Sequence, residues 1–566
     1  AEDNNGHGTH CASIAAGTGT AGSTSSSVEV SGTIGLPALT YGQGIINHIE
    51  VEQTGSVEVL VTWEETDTAN NPTDTILIIV DEDNDGSLEL GTEDVTGDYS
   101  DRPIVYNTGT LSPGKYLLFI GPGDNPATIG RAKVQYKVTR PASSVSDGNN
   151  KYRGVAPGCK IVALKALDDE GVGTETYMLN ALNWISANGL THDISVVSMS
   201  LGFNVVVPSV DTAVNNLVSQ GYVCVAAAGN EHMDDITIKS PGTASKCITV
   251  GAIDDVDKVA IYSSNGAGGS GKPDVLAPGG AYKAPILADE DTHLIIAADT
   301  NDADIVEFSS GSPLSYWESE FNVNDYTASQ GTSMSTPHVA GLVALMIQAM
   351  GSNWTHTEAD VLEIKNILCG TATEVIDGEY YKDPYDVEYT NYPSLNRGTR
   401  DLVEGFGKVH GDAAIEAFLT KYTAGSVVVD SLGSLPYQKQ AWARRVELKA
   451  LIEFTAGIEL DGTADFDLYL YDPSVDVTSS NAILASSTTS GAGQPENILY
   501  TPASDMTAYL VIKRVTGSGS FTLQAEATKT GTPSPTFLFG VPTVIWSILG
   551  TIGLTSIVLL TRKRRK

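Results

Sequence analysis

Three short stretches of this chain bring together residue types that could do chemistry. In Gly331-Thr332-Ser333-Met334-Ser335-Thr336-Pro337-His338-Val339-Ala340-Gly341, a glycine turn delivers a serine to the start of an apolar run, Val339 to Met350, with the texture of a buried helix. A hydroxyl at a loop-to-helix junction stands at the end of a rigid element. The N–H groups of the first helical turn aim at whatever binds there. Developing negative charge would be stabilised at such a point. On this stretch alone, N-capping is the commoner role for the serine. Two more stretches bear on the choice. Asn4-Asn5-Gly6-His7-Gly8-Thr9-His10-Cys11-Ala12-Ser13-Ile14-Ala15-Ala16-Gly17 opens a small-residue helix with a histidine. Val223-Cys224-Val225-Ala226-Ala227-Ala228-Gly229-Asn230-Glu231 is a buried strand ending in an amide side chain.

Together these stretches resemble the subtilisin-like serine proteases, the subtilases (peptidase S8 family). Flanking stretches agree: Gly154-Val155-Ala156-Pro157-Gly158, Ser198-Met199-Ser200-Leu201-Gly202, Leu276-Ala277-Pro278-Gly279 and Gly405-Phe406-Gly407-Lys408-Val409. The motifs occur in the family's order and cover residues 1 to about 22 and about 149 to 423. The resemblance implies a serine endopeptidase without a catalytic cofactor, acting on proteins or peptides. In that reading Ser333 attacks the peptide carbonyl, and His7 takes its proton and hands it to the leaving amine. His7 is chosen over His10 because the first histidine of the family motif is the base; His10 is then a packed core histidine. Asn230 and the Ser333 N–H would face the oxyanion. Ser200-Leu201-Gly202 and Ala227-Ala228-Gly229 would wall the specificity pocket. The family's register against Ser240-Pro241-Gly242 puts Lys239 near the pocket floor. There an ammonium would favour an acidic P1 residue. Alternatively Lys239 swings to solvent or pairs with Asp234 or Asp235, leaving an apolar pocket.

One member of the triad has no candidate of the right span. Subtilases run Asp, His, Ser, with the aspartate well before the histidine. Only six residues precede His7, and Asp3 lies where the family has a non-catalytic aspartate. The expectation is an incomplete front end, with a strand, its aspartate, a signal peptide and a propeptide upstream.

The chain has 566 residues, 41% apolar and 18% charged, enough for several domains with sizeable cores. Its 69 acidic against 33 basic residues give a net charge of −36, which excludes nucleic acid as a partner class. Such acidity suits solubility in a salty or calcium-containing exterior. Five cysteines stand singly without metal-type spacing. Cys11, Cys159, Cys224 and Cys247 read as small buried hydrophobes, with Cys11 beneath the histidine.

In chain order, residues 1–22 form the first part of a subtilisin-like α/β domain and residues 149–425 its second part. Buried parallel strands are expected at Ile161 to Ala166, Ser195 to Met199 and Val223 to Ala228, with helices near 174–188 and 210–220. Between the two parts, residues 23–148 carry β-like runs at Val57 to Trp63, Thr75 to Val80, Lys115 to Ile120 and Lys133 to Val138, an inserted antiparallel β-sandwich. Its Asp81-Glu82-Asp83-Asn84-Asp85-Gly86 turn offers Asp81, Asp83 and Asp85 as ligands for a structural calcium. Thr92 stands where an EF-hand loop has its bidentate glutamate, and a solvated acidic turn is the alternative. Residues 280–328 read as an acidic surface connection with one apolar run, Leu294 to Ala298.

Residues 426–529 return to β. Phe466 to Asp472 echoes Thr75 to Asp81, and Ala508 to Ile512 echoes Lys115 to Phe119. Two copies of one sandwich type are expected, resembling the pre-peptidase C-terminal (PPC) domains of secreted proteases. After a linker at 530–536, residues 537–561 read as a transmembrane helix, since Phe537 to Leu560 holds no charge. The basic tail 562–566 belongs on the cytoplasmic side, which puts the catalytic and β-domains outside the cell. A removable surface-sorting tail has the same outline. The leading reading is a membrane-anchored extracellular endopeptidase. The rival is a catalytically impaired cell-surface binding or adhesion protein, disfavoured because His7, Ser333 and Asn230 are all retained.

Overall fold

The computed structural model describes residues 7–18, 27–36, 39–40, 43–51, 54–65, 76–80, 94–97, 104–112, 114–122, 128–129, 132–141, 153–168, 171–231, 238–266, 271–280, 294–298, 304–307, 326–375, 393–462 and 464–529. The chain divides into two compact units, Ala1–Asn183 with Ile286–Gln330, and Trp184–Pro285 with Gly331–Lys566.

In the first unit the histidine helix spans His7–Ala16 and buries His10, Ser13, Ile14 and Ala16. Its C-terminal carbonyls find donors in the Gly-Val-Ala stretch. Val155 N–H donates to Ile14 O at 2.9 Å and Ala156 N–H to Ala15 O at 2.8 Å. A Cβ on Gly154 would lie 2.4 Å from Ser13 O, so only glycine allows this approach. Gly154 N–H also donates to Gly17 O at 2.9 Å. The long insertion therefore leaves and returns one hydrogen bond apart, which explains how it can interrupt the domain without displacing either flank.

The four β-like runs of the insertion become strands Glu58–Glu65, Ile76–Val80, Gly114–Pro122 and Ala132–Pro141, all antiparallel to their neighbours. Val57, Val59 and Val61 are buried while Glu58 is exposed, the alternation of a sheet with one inward face. One sheet runs Ser27–Leu36, Ala132–Pro141, Glu58–Glu65, Ile104–Asn107. The other runs Asp304–Glu307, Gln43–Val51, Gly114–Pro122, Ile76–Val80, Asp94–Gly97. Its first strand comes from the acidic connection, which is therefore partly a sheet component rather than a surface elaboration alone. Leu294 to Ala298 likewise contributes a strand, Ile295–Ala298, paired with Tyr326–Ser329.

Two expectations fail in this unit. Ile161 to Ala166 forms no strand, and Ile161 and Val162 are 53% and 42% exposed. An apolar run becomes a strand only where neighbours take its N–H and C=O groups, and no strand pairs with it among the described residues. Cys159, just before this segment and expected to be buried, is exposed as well.

The second unit is built on a parallel sheet, Val196–Met199, Val223–Ala227, Ile248–Ile253, Val275–Pro278. Cys224 and Cys247 are buried in it, as expected. The serine helix Thr332–Met350 packs on all four strands, and Pro208–Ser219 supplies a further helix against Val223–Ala227. Beneath the sheet lies a buried charge cluster. Asp274 accepts from Lys272 Nζ at 2.5 Å and from Thr249 N–H at 2.8 Å, with Lys365 Nζ 3.1 Å away. Burial opposes the Asp274 charge, but the two ammoniums outweigh it and hold the carboxyl below its usual range.

The C-terminal part of this unit has two four-stranded sheets, Val427–Leu432, Gly519–Lys529, Ile452–Gly462, Glu496–Tyr500, and Ala441–Leu448, Met506–Thr516, Asp465–Tyr471, Ile483–Ser487. Trp442, Phe466 and Leu510 of one sheet and Phe454, Ile458 and Phe521 of the other share one core, which makes this a sandwich. Numbered along their own segments, the eight strands fall in the order 1-8-3-6 and 2-7-4-5. The eight main strands of the insertion have the same two orders, with Asp304–Glu307 added beside strand 2. In the C-terminal copy the corresponding edge is closed differently: Tyr422 N–H donates to Arg445 O at 2.8 Å, forming an isolated bridge. Both devices cover an edge that would otherwise offer unpaired backbone groups.

Among the described residues no helix is long and apolar enough to cross a membrane. The expected span, 537–561, and the basic tail lie outside the described residues.

Candidate active site around Ser333

Ser333 is not the cap of its helix. The N-cap is Gly331, and no side chain caps the end. Gly331 N–H is held by Gly279 O at 2.9 Å and by the Tyr262 hydroxyl at 3.1 Å, and that hydroxyl in turn donates to Gly279 O. Burial pushes the Tyr262 phenol up, so it remains a donor. A Cβ on Gly279 would stand 2.5 Å from Ser335 Oγ, so the Leu-Ala-Pro-Gly stretch ends in glycine to admit the helix.

The proline of the serine motif has a local consequence. Pro337 lies inside the helix and has no N–H, so the carbonyl four residues back, that of Ser333, loses its helical donor. Ser200 replaces it: its hydroxyl donates to Ser333 O at 2.7 Å. The Ser333 hydroxyl meanwhile donates to Ser200 O at 3.3 Å. The Ser-Leu-Gly stretch is thus tied to the serine by two bonds.

Asn230 is held by the residue before the serine. Thr332 donates both its N–H and its hydroxyl to Asn230 Oδ1, each at 3.0 Å, and accepts Gly229 N–H at 3.1 Å. A backbone N–H can only donate, so the amide oxygen must face Thr332. The Nδ2 end is consequently turned away from Thr332, as a donor. Beyond it, Ser264 Oγ accepts Glu231 N–H at 3.1 Å and donates to the Glu231 carboxylate at 2.7 Å.

The remaining pocket candidates converge here. Phe203 N–H donates to Ser240 O at 2.9 Å, which draws Leu201 and Gly202 towards the Lys239–Gly242 turn. A Cβ on Gly242 would stand 2.9 Å from Ala227 O, so the same turn lies against the strand that leads to Ala228 and Gly229. Lys239 is half-buried; Asp234 and Asp235 lie outside the described residues. Thr332, Tyr262 and Ser264 were missed by sequence reasoning. Only Thr332 carried a signal, as the neighbour of the serine.

In the other unit, His7 is the first residue of its helix and half-buried, and Cys11 Sγ lies 3.9 Å from its Nε2. His10 is 2% exposed. Asp3 and the calcium candidates Asp81, Asp83 and Asp85 lie outside the described residues. Among the described residues no group of three or more His, Cys, Asp or Glu side chains could hold a metal ion.

A profile of the subtilase family (peptidase S8) matches residues 139–407, which include Asn230 and Ser333 and begin after His7. The chain is 31% identical over 244 residues to a cuticle-degrading serine protease of Arthrobotrys oligospora, covering 43% of this chain and 48% of that protein. It is 34% identical over 229 residues to serine protease AprX of Bacillus subtilis, covering 37% and 46%. To subtilisin DY of Bacillus licheniformis it is 30% identical over 237 residues, covering 42% and 69%. The chain spans about half the length of the first two of these relatives. It belongs to the subtilase family.

The Ser200 hydroxyl and the Pro337 ring form a compensating pair, which a double-mutant cycle can read. Ser200→Ala alone is expected to destabilise the chain by about 1–2 kcal/mol, because it removes the Ser200 hydroxyl's hydrogen bond to the Ser333 carbonyl. In a Pro337→Ala background the restored N–H can serve that carbonyl, and the Ser200→Ala cost should shrink by at least about half. Equal costs in urea denaturation of both backgrounds would show that the bond carries no weight.

Proposed function

We propose that this chain is the catalytic portion of an extracellular, membrane-anchored serine endopeptidase. The observation that carries the reading is the Asn230 amide, its oxygen consumed by Thr332 and its NH2 end lying by Gly331, in the turn that leads into Ser333. A preorganised donor next to a serine at a helix N-terminus suits the tetrahedral oxyanion of acyl transfer. Ser333 is the nucleophile and His7 the base. The family's Asp, His, Ser order calls for an acid ahead of His7 in the chain to orient it. Ser200, Leu201, Gly202, Ala228 and Gly229 line the cleft for an extended protein or peptide substrate. Family membership and the relatives' printed names support peptide hydrolysis.

The shared strand order of the two sandwiches supports two copies of one accessory domain, of the PPC type. The uncharged run Phe537 to Leu560 before five basic residues supports an anchor with the C-terminus cytoplasmic.

In the active protein, Ser333→Ala should abolish peptide hydrolysis and labelling by serine-directed phosphonates. Asn230→Ala should keep the labelling site but lower kcat roughly 10²–10³-fold, the magnitude established for the corresponding donor in subtilisin itself. Undiminished labelling of Ser333→Ala would falsify the nucleophile.

Lys239 is proposed as the P1 determinant. Its ammonium should raise kcat/KM for Glu over Phe at P1 by about tenfold, and Lys239→Gly should reverse that preference. A ratio unmoved by the substitution would place Lys239 outside the pocket.

The anchor is tested by flotation. The full chain should rise with liposomes, while a chain ending before Phe537 should stay in the soluble fraction. Flotation of the shortened form would overturn the assignment.

A further inference from the structure

A second polar cleft lies where the C-terminal sandwich meets the α/β core, far along the chain from the serine motif. The sandwich docks through its outer face. Asn366 Nδ2 donates to Pro473 O at 2.7 Å and to Val475 O at 2.8 Å, and the Tyr509 hydroxyl donates to Glu363 at 2.6 Å. Beside this seam a small open cleft of about 50 Å³ is lined by Glu374, Leu395, Asp467, Tyr469, Lys513 and Val515, among others.

The charges in the cleft are unequally provided for. Asp467 accepts from Arg397 at 2.6 Å and from the Tyr469 hydroxyl at 2.8 Å. Glu374 accepts Asn396 N–H at 2.6 Å. Arg514 donates to Gly517 O at 2.9 Å. Lys513 differs. It is 6% exposed and stands over the rings of Tyr469 and Tyr471 at 5.4 and 5.7 Å, yet among the described residues its ammonium has no hydrogen bond or ion pair. The Tyr471 hydroxyl, on a residue 4% exposed, likewise has no partner among them. An ammonium on a side chain this deeply buried is costly to desolvate, and an anion entering the cleft would offset that cost. Leu395, Val515 and the Tyr469 ring supply apolar walls for the body of such a ligand.

We propose that this cleft binds a small carboxylate with an apolar body, held by Lys513, and that the carboxylate it meets is the free C-terminus of a peptide. The source, though not the site, rests on the peptidase reading, because peptide-bond hydrolysis releases an acyl product ending in a new carboxylate. The cleft would then retain a product or position the end of a substrate, apart from the chemistry at Ser333.

Protonation supports the geometry. Burial pushes the Lys513 ammonium down to about 8, against the opposing pull of Glu374, Cys369 and Asp467. A bound carboxylate favours the charged form, so binding takes up a proton above that pH and weakens as pH rises. The other groups facing Lys513 act in the same direction or not at all. Burial raises Glu374, and raises Asp467 to about 6, so both gain negative charge with rising pH. Burial keeps Tyr469, Tyr471 and Cys369 protonated and, with the cations around it, keeps His410 neutral. Arg514 stays cationic although burial lowers it.

The experiment is calorimetric titration of the full chain carrying Ser333→Ala, so that nothing is cleaved and the outcome does not depend on catalysis. The probes are N-acetyl-alanyl-leucine, its C-terminal amide and sodium benzoate. The free acid should bind and the amide should not. Adding Lys513→Met or Lys513→Gln should weaken acid binding at least about tenfold, with melting temperature followed as a check on folding. Without either substitution, affinity should fall about 30-fold between pH 7 and pH 9.5, as expected for a group titrating near 8. Equal binding of acid and amide, or acid binding unchanged by both substitutions and by pH, would overturn the site. Benzoate binding as tightly as the peptide acid would keep the carboxylate site and overturn the peptide terminus as its source.

Discussion

Pro337 withholds one backbone hydrogen bond from the serine helix, and much of the site is arranged around the carbonyl left open. Ser200 fills that vacancy, and in doing so brings the Ser-Leu-Gly stretch against the serine. The turn before the helix is fixed from the other side by Gly279, Tyr262 and Asn230. Each of these contacts satisfies a group at the helix start that the helix itself cannot serve. The same unmet valences that make a helix N-terminus useful to an oxyanion thus determine which loops assemble there.

The two buried polar clusters of the second unit show how differently burial can be handled. Around Asp274 every charge has a counterpart within hydrogen-bonding reach, and the cluster ties Val275–Pro278 to the helix Glu358–Thr371. Around Lys513 the carboxylates are served by Arg397, Tyr469 and Asn396, but among the described residues the ammonium has only the Tyr469 and Tyr471 rings. The first arrangement is what a structural core requires. The second leaves an ammonium lining an open cleft, which suits a binding site.

The two sandwiches share a strand order although their sequences echo one another only faintly. Even the echoed strands are not matched residue for residue: Tyr471 pairs with Tyr509, while its counterpart Val80 pairs with Leu118, two residues further along than the echo requires. A shift of two preserves which side chains face inward, so the core tolerates it. The edge beside the second strand is closed by Asp304–Glu307 in one copy and by a bridge to Lys421 in the other. Asp465–Tyr471 is buried along its whole length because one face meets the sandwich core and the other meets the α/β part.

Local sequence was enough for whatever depends on local periodicity and on motif chemistry. The serine helix, the strands at Val196–Met199 and Val223–Ala227, four of the strands of the insertion and the family itself were all legible in it. It was insufficient where an outcome depends on a distant partner. Ile161 to Ala166 has the composition of a strand, but among the described residues no strand pairs with it. The run Asp304–Glu307 looks like acidic loop, yet it is a strand because Gln43–Val51 presents an open edge. Which end of the Asn230 amide faces outward, and what Ser200 does, could not be read from either residue's own stretch. Both are fixed by backbone groups more than a hundred positions away, and a hydrogen bond needs its donor and acceptor within about 3 Å, a condition that only the folded chain sets.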